Sequence, residues 1–288
     1  MTPPKSPYKI SAYVKIIRPV NAVMMGLAVI VGEVAISGGI PGAFQMLFGF
    51  LVSFFLTASA MVMNDIVDIE IDRINAPDRP LPSGAVSKNA ATTFGVLFVF
   101  FGVLSAVPIS TYAVILAIFT FIISLSYNLH GKKLGLPGNM MVAFCIAVPF
   151  LFGGIAVSNT IDVTVTVFFL LAFLASVGRE ITKGIADIEG DRIKGIKTIA
   201  LVNGSKTAAL GAAIFYILPV LITPIPYIWG NLSIFYLLIV LIVDAGFVYS
   251  SVYIMRNQSR EAALKVKTQA RIWMLLALVA FFVGGITR

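Results

Sequence analysis

Nine apolar runs, each about as long as a helix needs to be to cross a hydrocarbon layer, follow one another along this 288-residue chain with only short polar breaks between them. They are expected at roughly 16–37, 43–64, 91–107, 111–127, 138–157, 162–178, 207–225, 232–255 and 270–286. With 59% hydrophobic residues, 12% charged residues and a mean hydropathy of +0.98, a soluble fold is excluded. The expected fold class is all-α, a polytopic membrane bundle of nine transmembrane helices in a single domain over 1–288. Met1-Thr2-Pro3-Pro4-Lys5-Ser6-Pro7 lacks the apolar core and cleavage site of a secretory signal, so the first span is expected to act as its own insertion signal. The lone Cys145 lies inside an apolar run, which excludes an intrachain disulfide and reads as a packing residue.

The net charge of +8 does not form the basic stripe with interleaved aromatics of a nucleic-acid binder. Instead the charges fall between apolar runs and report topology. Threading the chain through nine spans puts every Lys and Arg except Arg288 on one side, from Lys5, Lys9, Lys15 and Arg18 to Arg256, Arg260, Lys265, Lys267 and Arg271. By the positive-inside rule that side is the cytoplasm, and the C-terminus lies outside.

Within this apolar chain a seven-residue string occurs twice. Asp68-Ile69-Glu70-Ile71-Asp72-Arg73-Ile74 returns 119 positions later as Asp187-Ile188-Glu189-Gly190-Asp191-Arg192-Ile193, with six of seven residues the same. The copies follow the second and sixth runs, so both emerge on the cytoplasmic face and are free to meet. An offset of four helices in the same sense suggests a parallel internal repeat with a site at its interface.

Asn64, Asp68 and Asp72 recur every fourth residue and share a helix face if the second helix continues through them, with Asp65 at the edge of that face. The same register in the second copy gives Arg179, Lys183, Asp187 and Asp191. Two acidic clusters imply a cation between them. Hard oxygen donors suit magnesium, which takes one or two carboxylates and completes its shell with water and phosphate oxygens. The lone His130 and lone Cys145 argue against zinc. Carboxylates with Lys and Arg nearby fit a diphosphate substrate shared between metal ions and cationic side chains.

Asn75-Ala76-Pro77-Asp78-Arg79-Pro80-Leu81-Pro82-Ser83-Gly84 reads as a stiff, non-helical loop that fixes Arg79. Ser126, Tyr127 and Lys132 end the fourth run on one face and reach toward the pocket. Arg18 and Asn21 straddle the start of the first run, where Arg18 serves equally well as a lipid headgroup anchor or as a ligand. Glu33 and Asp244 are ionisable groups inside spans and are expected to be buried in the bundle.

At these motifs the chain resembles the UbiA superfamily of intramembrane prenyltransferases. The resemblance rests on Asn64-Asp65-Ile66-Val67-Asp68-Ile69-Glu70-Ile71-Asp72, on Asp187-Ile188-Glu189-Gly190-Asp191, on the loop Asp78-Arg79-Pro80-Leu81-Pro82-Ser83-Gly84 and on Arg18-Pro19-x-Asn21. It implies a central cavity and a magnesium cofactor on the two motifs, with Asn64, Asp68, Asp72, Asp187 and Asp191 as metal ligands. It also implies a prenyl diphosphate donor whose tail enters a lipid-facing tunnel. The stretch 178–192 looks most like the archaeal ether-lipid branch, which implies geranylgeranyl diphosphate as donor and geranylgeranylglyceryl phosphate as acceptor, drawn from among membrane lipids. The catalytic set is then Asp68, Asp187, Asp191 and Lys183. Substrate-binding residues are Arg18, Asn21, Arg79, Lys88, Tyr127, Lys132, Arg179 and Lys194, with Arg179, Lys194 or Lys197 on the acceptor phosphate. Two rivals remain at this point: transfer to an aromatic or tetrapyrrole acceptor, and a magnesium or phosphate transporter, whose acids should instead line a path across the bilayer.

Overall fold

The structure, a computed structural model, describes residues 10–229 and 231–288, apart from the side chains of Asn75 and Lys194. Lys5 and Lys9, counted above with the cytoplasmic charges, lie outside the described residues. In chain order the helices are α1 (Ile10–Ile16), α2 (Pro19–Ser37), α3 (Ala43–Val67), α4 (Ile69–Asn75), α5 (Lys88–Ala106), α6 (Thr111–Leu129) and α7 (Leu136–Ser158). They continue as α8 (Val163–Ala186), α9 (Ile188–Lys194), α10 (Ile199–Asn203), α11 (Ser205–Ile222), α12 (Ile225–Ile228), α13 (Ile234–Arg256) and α14 (Arg260–Ile286). Among the described residues there are no strands, and nine helical stretches are long and apolar enough to cross a membrane, α11 and α12 together making one of them.

The sixth and ninth spans differ most from the sequence expectation. α8 runs on to Ala186 because no proline follows Gly178 in this stretch and Arg179, Glu180 and Thr182 are held within the bundle, where hydropathy alone ends the run. α14 starts ten residues earlier than its apolar run because Ser259 caps it, its hydroxyl oxygen accepting from the Ala262 amide at 3.2 Å, with Glu261 in the first turn.

Small residues let the helices close around one another. A Cβ on Gly32 of α2 would stand 2.7 Å from the Phe150 carbonyl oxygen, and Gly153 of α7 lies directly against the backbone of α2, so these two backbones touch. The largest buried cluster joins α8, α11, α13 and α14 and holds the Phe168–Phe281 stack, with ring centroids 3.9 Å apart. α14 returns to α2, where Gly285 packs on Val34 and Ala35, and so closes the helices into a ring.

The duplicated string has a duplicated backbone. α3 ends at Asp68 (φ −90°, ψ 5°) and gives way to the seven-residue α4, while α8 ends at Asp187 (φ −109°, ψ 14°) and gives way to the seven-residue α9. Main-chain bonding passes through both breaks: Asp68 N donates to Asn64 O (3.0 Å) and Asp72 N to Asp68 O (2.8 Å). In the second copy Asp187 N donates to Lys183 O (3.1 Å) and Asp191 N to Asp187 O (2.8 Å). The packing matches too, since α3 lies on α5 as α8 lies on α11.

Candidate active site

In the first motif each aspartate is held by a cation from a different element. Asp65, on the last turn of α3, is almost fully buried and accepts from Arg18 Nη2 at 2.5 Å. Arg79 Nη1 lies 2.5 Å from Asp72 Oδ2 and 3.8 Å from Asp65 Oδ1, so one guanidinium serves two carboxylates. Arg18 reaches Asp65 from a left-handed backbone (φ 48°, ψ 66°) just before Pro19, a conformation uncommon for a residue with a side chain. Arg79 is placed by its loop, which the buried Leu81 and Val86 anchor in a small core with Ile16, Val62 and Ala91.

Lys132 stands in the turn between α6 and α7 and donates to Asp68 Oδ2 at 2.7 Å. The Asn64 amide satisfies its neighbours when its nitrogen faces Asp68 Oδ2 (3.2 Å) and its oxygen faces Lys132 Nζ (2.9 Å), with Asn128 on its other side. Burial lowers the Lys132 pKa, and that effect outweighs the hydrogen bond it donates to Asp68, which raises it.

The second motif is arranged around Glu180. Arg179 Nη1 donates to Glu180 Oε1 at 2.7 Å, and Lys183 Nζ lies 3.5 Å from Glu180 Oε2. Lys183 also feels the Asp187 carboxylate. The two motifs share a cavity beside α6: Asn64 of the first motif, Tyr127 of α6 and Arg179 of α8 line it together, and Tyr127 feels the charges of Asp68, Lys183 and Glu180. Lys132 likewise senses Asp68, Asp72 and Lys183.

The cavity has a volume of about 450 Å³. Asn64, Tyr127, Asn128 and Arg179 line its polar end, and residues such as Leu56, Phe121, Phe150, Leu171 and Phe247 line the rest. Arg18 and Arg79 border a separate hollow of about 400 Å³ with Lys15 and Asp78.

Most of the expected site residues are brought together. Asn64, Asp68, Asp72, Arg18, Arg79, Tyr127, Lys132, Arg179, Lys183 and Asp187 stand in the network described, and Asn21 lines the cavity. Asp191 sits one turn beyond Asp187 in α9, its carbonyl oxygen accepting from Ile196 N at 2.9 Å. Lys88 is not brought in: it is exposed at the start of α5 and borders neither hollow. Lys197 is exposed in the segment after α9, and the Lys194 side chain lies outside the described part of the structure. His130 is an exposed helix-end residue, and Cys145 lines the cavity wall.

Sequence reasoning missed Glu180 and Asn128 and left Asp65 at the margin. Glu180 had a signal, since it is the acid that neutralises Arg179 beside it and Lys183 one turn on. Asn128 had none beyond being an amide near the end of an apolar run.

Among the described residues no three Asp, Glu, His or Cys side chains gather closely enough to ligate one ion. The donor chemistry nonetheless suits magnesium: the available ligands are carboxylate and amide oxygens on two separate helix ends, with no imidazole or thiolate beside them. Such a divided set leaves most of each coordination shell to phosphate oxygens and water.

An apolar cavity with carboxylates and cations at its mouth belongs to an intramembrane enzyme acting on an anionic head joined to an apolar tail. The chain belongs to the UbiA prenyltransferase family, whose profile matches residues 25–283, and it is a prenyltransferase. A digeranylgeranylglyceryl phosphate synthase from Thermococcus kodakarensis is 36% identical over 277 residues, covering 96% of this chain and 99% of that one. A solved structure described as digeranylgeranylglyceryl phosphate synthase in membranes superposes with a TM-score of 0.85 at 34% identity, over 97% of this chain and 99% of that one. A UbiA homolog from Archaeoglobus fulgidus bound to GPP and Mg2+ shares the fold at a TM-score of 0.64 and 13% identity, over 94% of this chain and 99% of that one.

Proposed function

We propose that this protein transfers a geranylgeranyl group from geranylgeranyl diphosphate to the hydroxyl of geranylgeranylglyceryl phosphate, forming the second ether of an archaeal membrane lipid. The observation that carries the reading is one apolar cavity lined from both acid-capped helix ends, with Tyr127 and Lys132 feeling charges of both. Near-full-length relatives named for this synthase support the choice of acceptor. The whole chain, 1–288, acts as one unit, with the motif-bearing end and the N-terminus in the cytoplasm and the C-terminus outside. The one-sided distribution of Lys and Arg supports that orientation.

Asn64, Asp68 and Asp72 on one side and Asp187 and Asp191 on the other would hold magnesium. When bound, the ion supplies Lewis-acid stabilisation of the departing diphosphate. Lys132, Lys183 and Arg79 add positive charge around the same oxygens as the allylic carbon–oxygen bond breaks, which is where charge develops. The carboxylates that now pair with Lys132 and Arg79 keep these cations in place before substrate arrives. The apolar walls exclude water from the allylic cation, so the acceptor hydroxyl captures it. The new bond joins the acceptor oxygen to the prenyl carbon. The hydroxyl proton leaves to diphosphate or to an aspartate, since an alcohol adding to a carbocation becomes strongly acidic.

Membranes containing the protein, given labelled geranylgeranyl diphosphate, geranylgeranylglyceryl phosphate and a quinone precursor, are expected to place label in the phosphoglycerol ether with release of diphosphate. Label in the aromatic product would reassign the acceptor. Ion movement in liposomes without diphosphate release would end the enzyme reading.

A further inference from the structure

In the sequence Arg271 belongs to a basic flank with Arg256, Arg260, Lys265 and Lys267 and reads as ordinary positive-inside charge. The structure separates it from them. α8 and α14 pack side by side in opposite directions, and the Phe168–Phe281 stack at 3.9 Å fixes their register. Ten residues from that stack toward the motif-bearing end lies Arg271 on α14, and eleven lies Arg179 on α8. At a rise of about 1.5 Å per residue both positions are ~15 Å from the stack, at closely similar depth. Both side chains line the main cavity. Arg179 already has Glu180 at 2.7 Å, whereas Arg271 has no carboxylate within 4.0 Å among the described residues.

The cavity is also open on this side. Asn21 of α2, with Arg271 and Leu275 of α14, line it and are exposed. With no carboxylate holding it, the Arg271 guanidinium can turn to an anion in the cavity, and its planar fork matches a phosphate.

We propose that Arg179 and Arg271 together form the acceptor's phosphate site. This rests on the prenyl-transfer reading above and adds to it the subsite that recognises the second substrate. The ligand class is a prenylated glycerol phosphomonoester, anionic at the head and apolar in the tail. Arg179 is eight residues from Asp187, about 12 Å along the helix, which leaves room between the two phosphate sites for the allylic carbon and the attacking hydroxyl. The apolar residues beyond Arg271 on the same helix, Met274, Leu275 and Leu278, continue the cavity wall and suit the tail.

The test is a steady-state comparison of Arg271→Gln and Arg271→Lys with the wild-type protein. Each is assayed with geranylgeranylglyceryl phosphate and with the same lipid lacking its phosphate. Arg271→Gln is expected to raise the KM for the phosphorylated acceptor by about tenfold or more, the size of a lost charge-assisted contact. The donor KM stays unchanged, and both proteins use the phosphate-free lipid alike. Arg271→Lys, which keeps the charge and loses the fork, falls between them and carries the test if the Gln variant does not fold. An unchanged acceptor KM, or an equal loss with both lipids, overturns the proposal. Failure of the underlying reading looks different: wild-type protein would release no diphosphate with either lipid, and both claims would fall together.

Discussion

Arg18 and Arg79 share a buried carboxylate, and that sharing has a measurable signature. Asp65 is contacted by Arg18 at 2.5 Å and by Arg79 at 3.8 Å, and Arg79 also holds Asp72 at 2.5 Å. The carboxylate side chains are only 4% and 10% exposed, while the guanidiniums are 34% and 41% exposed. Replacing Arg18 with Ala leaves Asp65 with Arg79. The loss is then one charge-assisted hydrogen bond to a partly solvated partner, about 1.5 kcal/mol, at the low end of the usual range. Arg79→Ala leaves Arg18 on Asp65 but strands the buried Asp72, at a cost of about 3–5 kcal/mol. Removing both leaves Asp65 buried with neither guanidinium and still repelled by Asp72. Stranding this second buried charge adds about 3–5 kcal/mol, so the double variant should lose at least ~1 kcal/mol more than the sum of the singles. Thermal unfolding of detergent-purified protein reads this as an extra fall in Tm of about 2–4 °C. In an Asp65→Asn background the extra term should vanish. Additive shifts, or coupling that survives Asp65→Asn, would refute the shared-carboxylate account.

The buried Lys132 gives a pH prediction. Its pKa is held below the ordinary lysine value, so in the free enzyme it loses its proton earlier on the alkaline side than an exposed lysine does. The donor kcat/KM should therefore fall on an alkaline limb below the normal lysine range, and Lys132→Arg should move that limb upward; an unmoved limb removes Lys132 from diphosphate binding. The stability effect has the opposite sense. Because the folded pKa lies below the unfolded one, charged Lys132 opposes folding at neutral pH, and this opposition is relieved as pH rises through the folded pKa. Gly153→Val should cost about 2–3 kcal/mol in thermal unfolding, because its Cβ would meet the backbone of α2, including Glu33 N at 2.7 Å. Gly190→Ala, with nothing within 4 Å, should cost no stability, and equal losses for the two would refute the close α2–α7 approach. Thorough chelation of divalent ions should stop turnover, with magnesium restoring it; full activity after chelation contradicts the metal-assisted mechanism.

The spans were legible because each is a long apolar run, and the misplaced ends fall where a helix carries charge. At Arg179–Ala186 and at Arg260–Gln269 the polar side chains serve the cavity or the membrane surface, so hydropathy ends where the helix does not. The acidic copies were legible because repetition within so apolar a chain is informative at any distance. Cross-helix pairing was not. Lys132 reaches Asp68 across 64 positions, and only packing shows that they touch. Arg18 fitted a lipid anchor and a ligand equally well, and its unusual backbone and contact with Asp65 decide for the network. Arg271 looked like its neighbours because only the register of α14 against α8 distinguishes them.

The account stands on a diphosphate gripped between the ends of α3 and α8. A structure with magnesium and an unreactive geranylgeranyl thiodiphosphate tests that directly. The account predicts the diphosphate between Asp68 and the Asp187–Asp191 pair, with Lys132 and Lys183 on its oxygens and the tail in the apolar cavity. Diphosphate held by one motif alone, or lodged in the outer hollow beside Lys15, would contradict it.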